Sequence, residues 1–296
     1  MRLRLLLAFA ATWFIWGSTY LAIAFAVAEI PPFAMAGVRN FAAGLVLYVW
    51  LRMRGAARPT ASHWRRALVI GILMLGIGNG AVTWSEQTEP SGVVALVVSL
   101  VPLWLMVFGW LGREGVRPAG VEIVGVTIGL AGVLLLIAPW GENGGVLSMV
   151  GMLVLLASTL AWAGGSLYSR HLPPLPRPLL GSGMEMIMGG SALLLVSLFT
   201  GEWRLVDPSA ITTRGALSVL YLIVFGSIVG FSAYKWLLTQ VRPAIAGTYA
   251  FVNPLVAVLL GWSFAGESLS PRLVLAMLLI VGAVAMLTLR PYFRTR

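Results

Sequence analysis

Residues 5–28 run for twenty-four positions without a charged side chain. A helix that crosses a bilayer core of about 30 Å needs about 20 such residues. Nine further apolar runs follow, near 32–51, 67–85, 91–111, 119–138, 146–168, 179–199, 215–238, 244–265 and 271–289. Between them stand Pro31-Pro32, Arg52 to Arg66, Glu86 to Gly92 and similar polar or Pro/Gly breaks. Ten spans take roughly 200 residues of the 296, which leaves short connections and no room for a soluble catalytic domain. The balance of 59% hydrophobic and 10% charged residues agrees, because a soluble chain carries about 25% charged residues. The expected class is an all-α membrane protein with ten transmembrane helices.

The start imitates a secretory signal, with Arg2 and Arg4 before an apolar stretch and Ala24-Phe25-Ala26 behind it. Signal peptides have an apolar core of only about 7–15 residues, so the first run is expected to be a retained helix. The net charge of +10 would suggest nucleic acid in a soluble protein. In a membrane protein Lys and Arg collect on the cytoplasmic side. With the N-terminus inside, fifteen of the twenty basic residues fall in inner segments, and seven of the ten acidic ones fall outside: Glu29, Glu86, Glu89, Glu142, Glu202, Asp207 and Glu267. Both termini are therefore expected in the cytoplasm, with no nucleic acid among the partners. No cysteine is present, and the two histidines, His63 and His171, lie in breaks. Thiol or histidine metal sites are not expected.

The chain also repeats itself. Trp84, Pro102 and Gly109-Trp110 recur as Trp236, Pro254 and Gly261-Trp262 at an offset of 152, and Glu114, Pro118 and Gly129 recur as Glu267, Pro271 and Gly282 at 153. Gly17-Ser18-Thr19-Tyr20 returns more loosely as Gly165-Ser166-Leu167-Tyr168. The repeats are placed at 1–140 and 141–296. Each holds five spans, and an odd number forces the second copy to sit upside down relative to the first. Inverted repeats around an axis in the membrane plane are characteristic of secondary transporters, whose substrate sites lie near the midplane between the halves.

Several segments resemble one family. Ile15-Trp16-Gly17-Ser18-Thr19-Tyr20, Ala36-Gly37-Val38-Arg39, Gly78-Asn79-Gly80, Gly226-Ser227-Ile228, Tyr249-Ala250-Phe251-Val252-Asn253-Pro254 and Gly266-Glu267-Ser268-Leu269-Ser270 are similar to EamA-type members of the drug/metabolite transporter superfamily. The resemblance extends over essentially the whole chain. It implies two EamA repeats in a bacterial inner membrane and export or exchange of small metabolites, amino acids prominent among them. Multidrug, nucleotide-sugar and sugar-phosphate carriers are the alternatives within that superfamily. The second repeat has Gly164-Gly165 where the first has Trp16-Gly17, so the halves need not contribute equally.

Charged groups inside a membrane are costly and point to function. Arg39 lies about 10 Å below the outer surface and Glu185 about 9 Å above the inner one at 1.5 Å per residue. In a core of roughly 30 Å they are too far apart to pair. Glu86 suits Arg39 and Lys235 suits Glu185, as structural ion pairs or as substrate and coupling groups. Trp16, Tyr20, Trp84, Trp162, Tyr234 and Tyr249 stand near small or polar residues within spans and are candidates for a cavity wall, against a packing role. Asn79, Thr83, Ser99, Ser166 and Asn253 offer hydrogen bonds, to substrate or between helices, and the two amides carry both donors and acceptors. Gly125 and Gly129 suit helix packing, and Glu114 and Glu267 suit helix ends. Pro102 and Pro254 remove matched backbone hydrogen bonds and are candidate hinges.

No nucleotide loop, zinc-protease or serine-hydrolase motif is present in the sequence, and no cofactor is expected. The expected function is a secondary transporter rather than an enzyme, working by alternating access on a small molecule, with the lipid bilayer as its other partner; a monomer is plausible, and the sequence leaves the oligomeric state open. A membrane-embedded enzyme would need a polar reactive cluster at one depth, and a channel a continuous polar stripe.

Overall fold

The computed structural model describes residues 2–111, 120–137, 147–172, 177–241, 246–247 and 249–293. Glu114, Pro118 and Glu142 lie outside them. The described chain is all-helical. Seven helices are long and apolar enough to cross a membrane: α1 (Leu3–Val27), α2 (Pro32–Met53), α3 (Ala61–Ser85), α4 (Ser91–Leu111), α6 (Met149–Arg170), α7 (Pro178–Phe199) and α8 (Thr213–Gln240). Three more apolar helices accompany them, α5 (Gly120–Ile137), α9 (Tyr249–Phe264) and α10 (Pro271–Phe293). Large apolar side chains such as Leu45, Val46, Leu198, Phe199, Leu259 and Phe264 face outward. A soluble monomer rarely exposes so much contiguous apolar surface, whereas lipid makes it the favourable side.

The third span starts at Ala61, six residues before the expected 67. Thr60 accepts the His63 amide and donates its own amide to His63 Nδ1. This reciprocal cap starts the helix early and takes Arg65 and Arg66 into its first two turns, where long basic side chains can reach the membrane surface. α4 is interrupted at Ser99–Leu100, just before Pro102, while α9 runs unbroken through Pro254. The two prolines thus have different local consequences: Pro102 sits in the first turn of the second half of α4, where its missing N–H has no intrahelical partner anyway.

Three stretches widen into π-helix: Ala11–Ile15 in α1, Gly71–Asn79 in α3 and Leu222–Phe231 in α8. The last two are matched in the chain, 151 residues apart at their starts and 152 at their ends. A wide turn leaves carbonyls available to side chains, and such turns concentrate at functional sites.

Packing pairs α2 with α7, α5 with α10, α1 with α8, α3 with α6, and α4 with α9. The α2–α7 contact is the tightest. A Cβ on Gly190 would lie 2.4 Å from the Phe41 amide, and one on Gly44 2.6 Å from the Ile187 amide. Only glycine allows the two backbones this close, as small residues do at membrane helix interfaces. Gly129 and Gly132 of α5 face Ala283 and Ile280 of α10 in the same manner.

Candidate functional site

The central cavity draws its wall from seven helices. α1 gives Trp16, Thr19, Tyr20 and Ile23; α2 gives Arg39 and Asn40; α3 gives Leu75, Gly78, Asn79 and Val82. Val98 and Val101 come from α4, Ser158 and Trp162 from α6, Gly226, Ser227 and Phe231 from α8, and Tyr249 and Asn253 from α9. The lining is apolar with a few convergent polar groups, the usual construction of a small-molecule site.

One side of the cavity is a polar cluster. Arg39 Nη2 donates to Asn79 Oδ1 at 2.6 Å, and Asn40 Nδ2 donates to the same oxygen at 3.2 Å. Ser227 of α8 donates to Asn40 Oδ1 at 3.1 Å, so the cluster links both halves of the chain. Arg39 is 5% exposed, and its Nε and Nη1 have no partner. A buried guanidinium with free donors at a cavity wall suits an anionic group, above all a carboxylate, which it can hold by charge-assisted hydrogen bonds.

The other side is aromatic. Trp16 meets Trp162 edge-on with ring centroids 5.6 Å apart, Tyr234 at 5.3 Å and Tyr249 edge-on at 5.4 Å. Tyr234 and Tyr249 meet at 5.5 Å, and Phe231 closes on Trp162 at 6.3 Å. Tilted and edge-to-face pairs at these distances are the favourable aromatic geometries.

The π-helical stretches hold this box in place. Trp16 Nε1 donates to Gly226 O at 3.0 Å, and Ser158 Oγ donates to Gly78 O at 2.7 Å. The amide of Asn253, oriented by its neighbours, donates to Thr12 O at 2.9 Å and Trp13 O at 2.8 Å. Each of these bonds joins residues 1–140 to residues 141–296. The two tryptophans are seated alike: a Cβ on Gly230 would fall 2.3 Å from Trp16 Nε1, and one on Gly78 3.1 Å from Trp162 Cε3. Gly78 and Gly230 are 152 residues apart. The spatial counterpart of Trp16 is therefore Trp162, two residues before the Gly164 that the linear comparison set against it.

Of the sequence candidates, the structure gathers Trp16, Tyr20, Asn79, Trp162, Tyr249, Asn253 and Arg39 around this cavity. Four others stand elsewhere. Thr83 is buried against its own helix, donating to Asn79 O at 2.9 Å. Trp84 is not in the wall, and Tyr234 lies behind it, completing the aromatic box and meeting Ser166 Oγ at 3.1 Å. Ser99 bonds back to Leu96 O within α4. Asn253 reaches the cavity, but its nitrogen is committed to α1. The pairing expected of Arg39 with Glu86 is not formed: both Glu86 oxygens are buried without a hydrogen bond, and Arg39 turns to Asn79 instead. The amide approaches from the cavity side, whereas Glu86 sits just beyond the C-terminal end of α3.

Lys235 Nζ donates to Glu185 Oε1 at 2.9 Å and also to Ser169 Oγ. This pair lines a second cavity with His63, Arg66 and Thr239, which shares no described residue with the central one.

Four acidic residues assigned to outer connections act at helix ends, a role the sequence suggested for Glu267 and left open for the other three. Each carboxylate caps the N-terminus of a helix in the other half of the chain. Glu29 accepts from Thr212 N (2.8 Å) and Oγ1 (2.6 Å) before α8, and Glu89 from Ser148 N (3.2 Å) before α6. Glu202 accepts from Ala34 N (2.8 Å) at α2, and Glu267 from Ser91 N (2.9 Å) and Oγ (2.6 Å) at α4. Carboxylates there satisfy free N–H groups and meet the positive end of the helix dipole.

The model of the EamA-like transporter family matches residues 3–138 and again 149–289. The chain belongs to that family. It is 42% identical over 99% of its length to YedA of Escherichia coli K12, named an uncharacterized inner membrane transporter and covered to 94%. It is 26% identical to the uncharacterized transporter YvbV of Bacillus subtilis, with 96% of this chain and 91% of that one aligned. Protein PecM of Dickeya dadantii is also 26% identical, over 91% and 87% of the two chains. A solved crystal structure with 21% identity covers the whole of both chains at a TM-score of 0.70, which shows the shared fold.

Thr19, Asn40, Ser158 and Ser227 were the polar wall residues not singled out. Asn40 adjoins Arg39, and Ser227 sits in Gly226-Ser227-Ile228, one of the segments that carry the family resemblance. The π-helical widening gave no sequence signal, because a Gly-rich apolar run reads the same in either helix type.

Proposed function

We propose that the chain is a multi-pass secondary transporter of the bacterial inner membrane that exports or exchanges small metabolites by alternating access. Amino acids with an apolar or aromatic side chain are the foremost substrates. The observation that carries this is the central cavity between the halves, with Arg39, Asn79 and Asn40 on one side and the Trp16–Trp162–Tyr249 box on the other. Arg39 suits the carboxylate and the rings suit the side chain.

Ten spans in two inverted repeats, with both termini cytoplasmic, complete the proposal. It is supported by two successive matches to the family model and by reciprocal packing. Exchanging each helix of 1–140 for its counterpart turns the α1–α8 contact into α3–α6 and leaves α2–α7, α4–α9 and α5–α10 unchanged. The name of the Escherichia coli relative supports the location. Arg39 is the one cation among the described lining residues, which disfavours multiply phosphorylated substrates, since phosphate usually recruits several basic groups.

Counterflow in proteoliposomes tests the substrate class. Phenylalanine, tryptophan, methionine or threonine should exchange with a preloaded pool and compete with one another. Inhibition by sugar phosphates with none by these amino acids would reverse the assignment.

A further inference from the structure

The central cavity and the outer end of α3 hold two buried charged groups left open in complementary ways. Arg39 is 5% exposed and has two nitrogens without partners. Glu86 is 6% exposed and has two oxygens without partners. They are not bonded to one another, yet each lies within range of the other's charge. An ionised carboxylate buried with no hydrogen bond is strongly disfavoured, and the neutral acid far less so. At Glu86 the charge of Arg39 is what offsets that penalty.

The remaining buried carboxylates differ. Glu89 and Glu202 accept backbone N–H groups at a helix terminus, as the half-buried Glu267 also does, and Glu185 accepts from Lys235. Among the described buried carboxylates, Glu86 alone has neither a basic hydrogen-bond partner nor a helix-terminal amide, and of backbone groups α1 brings only that of Ala24 near it. The titratable groups that face it are Arg39 from α2, Tyr20 from α1 and Glu267 from the connection between α9 and α10. Glu267 is tied to the α4 N-terminus, and its negative charge further opposes ionisation of Glu86.

We propose that Glu86 is a proton-binding site linked to anion binding at Arg39. With no anion in the cavity, Arg39 is the nearest positive charge, and it favours the Glu86 carboxylate. When a substrate carboxylate engages Nε and Nη1 of Arg39, that positive charge is neutralised. Glu86 then takes one proton from water, forming an O–H bond and no other. When the carboxylate leaves, the O–H bond breaks and the proton returns to water. The site carries zero net charge in both conditions for a monoanionic ligand, which spares the low-dielectric interior an unpaired charge. A carboxylate and a proton therefore bind together. This rests on the central cavity being the substrate site.

Calorimetric titration of the full-length protein in detergent tests the linkage, using 3-phenylpropanoate in two buffers of different ionisation enthalpy, with phenylalanine in parallel. The wild type should take up close to one proton per 3-phenylpropanoate bound. Its affinity should fall as pH rises, by up to about tenfold per pH unit in the linked range. Glu86→Gln should bind without proton uptake, and its affinity should stay flat over that range. In the wild type itself, infrared difference spectra on adding 3-phenylpropanoate should gain a protonated-carboxyl band, a readout that needs no variant. Binding without proton uptake, uptake that survives in Glu86→Gln, or absence of the infrared band overturns the proposal. So does binding of phenylalanine with none of 3-phenylpropanoate, because the ammonium would then be the required group. If neither probe binds, the substrate assignment of the cavity fails first and takes the linkage with it.

Discussion

Gly230 and Lys235 show how much of the site depends on single atoms. A Cβ on Gly230 would lie 2.3 Å from Trp16 Nε1 and would push the indole off the Gly226 carbonyl. Gly230→Ala should therefore cost roughly 2 kcal/mol in the strain and lost hydrogen bond around the box and slow transport strongly. Gly78→Ala meets Trp162 only at 3.1 Å and should be the milder change. Initial transport rates of the two variants in proteoliposomes check the order. Lys235→Met leaves Glu185 buried without its cation, and removing one partner of a buried pair destabilises by about 3 kcal/mol. Combining it with Glu185→Leu should recover much of that, as thermal unfolding in detergent would report. The Lys235–Glu185 pairing was legible because depth along a helix follows from residue counting. The turn of Arg39 toward Asn79 was not, because two acceptors within reach of one long side chain are separated only by the local approach of the helices.

Helices α3 and α8 show what a pattern of apolar residues conveys and what it omits. Their existence followed from length and composition. Their widening to π-helix did not, since it depends on Ser158 and Trp16 arriving from other helices to take the carbonyls it releases. The carboxylate caps were hidden for the same reason: Glu29 and Thr212 are 183 residues apart in the chain. The Glu29 cap makes the start of α8 sensitive to acid. The hydroxyl and amide of Thr212 hold the Glu29 carboxyl below its ordinary range. A lowered value means that the bond is fully present above the ordinary carboxylate range and is lost as pH falls through the lowered value. Amide hydrogen exchange at Thr212 and Gly215, corrected for the intrinsic effect of pH, should thus accelerate in acid. Glu29→Gln should show the faster exchange already at neutral pH, and equal protection in the two proteins would contradict the cap's contribution.

Across the whole molecule, the four interhalf caps place the connections after α1, α3, α7 and α9 at one face, while Arg177 Nη1 donates to Arg54 O at 2.9 Å at the other. The first face is acidic and the second basic, and that separation is the one the charge distribution of the chain suggested. Its physical origin is the cost of moving Lys and Arg across a membrane, which acts on every loop and so remains visible in one sequence. Contacts between halves leave no such cumulative trace. In the proposed orientation residues 52–66 are cytoplasmic and residues 201–214 periplasmic. The absence of cysteine allows single probes at Ser62 and Ser209. A membrane-impermeant maleimide added to intact cells should label the cysteine at Ser209 and spare that at Ser62. Inverted membrane vesicles should give the opposite pattern. The two outcomes that depart from this separate different causes. A complete reversal would keep the two faces and overturn only the orientation. Labelling of both positions from one side would overturn the arrangement of spans itself, because α3 and α8 would then no longer start from opposite surfaces as inverted counterparts must.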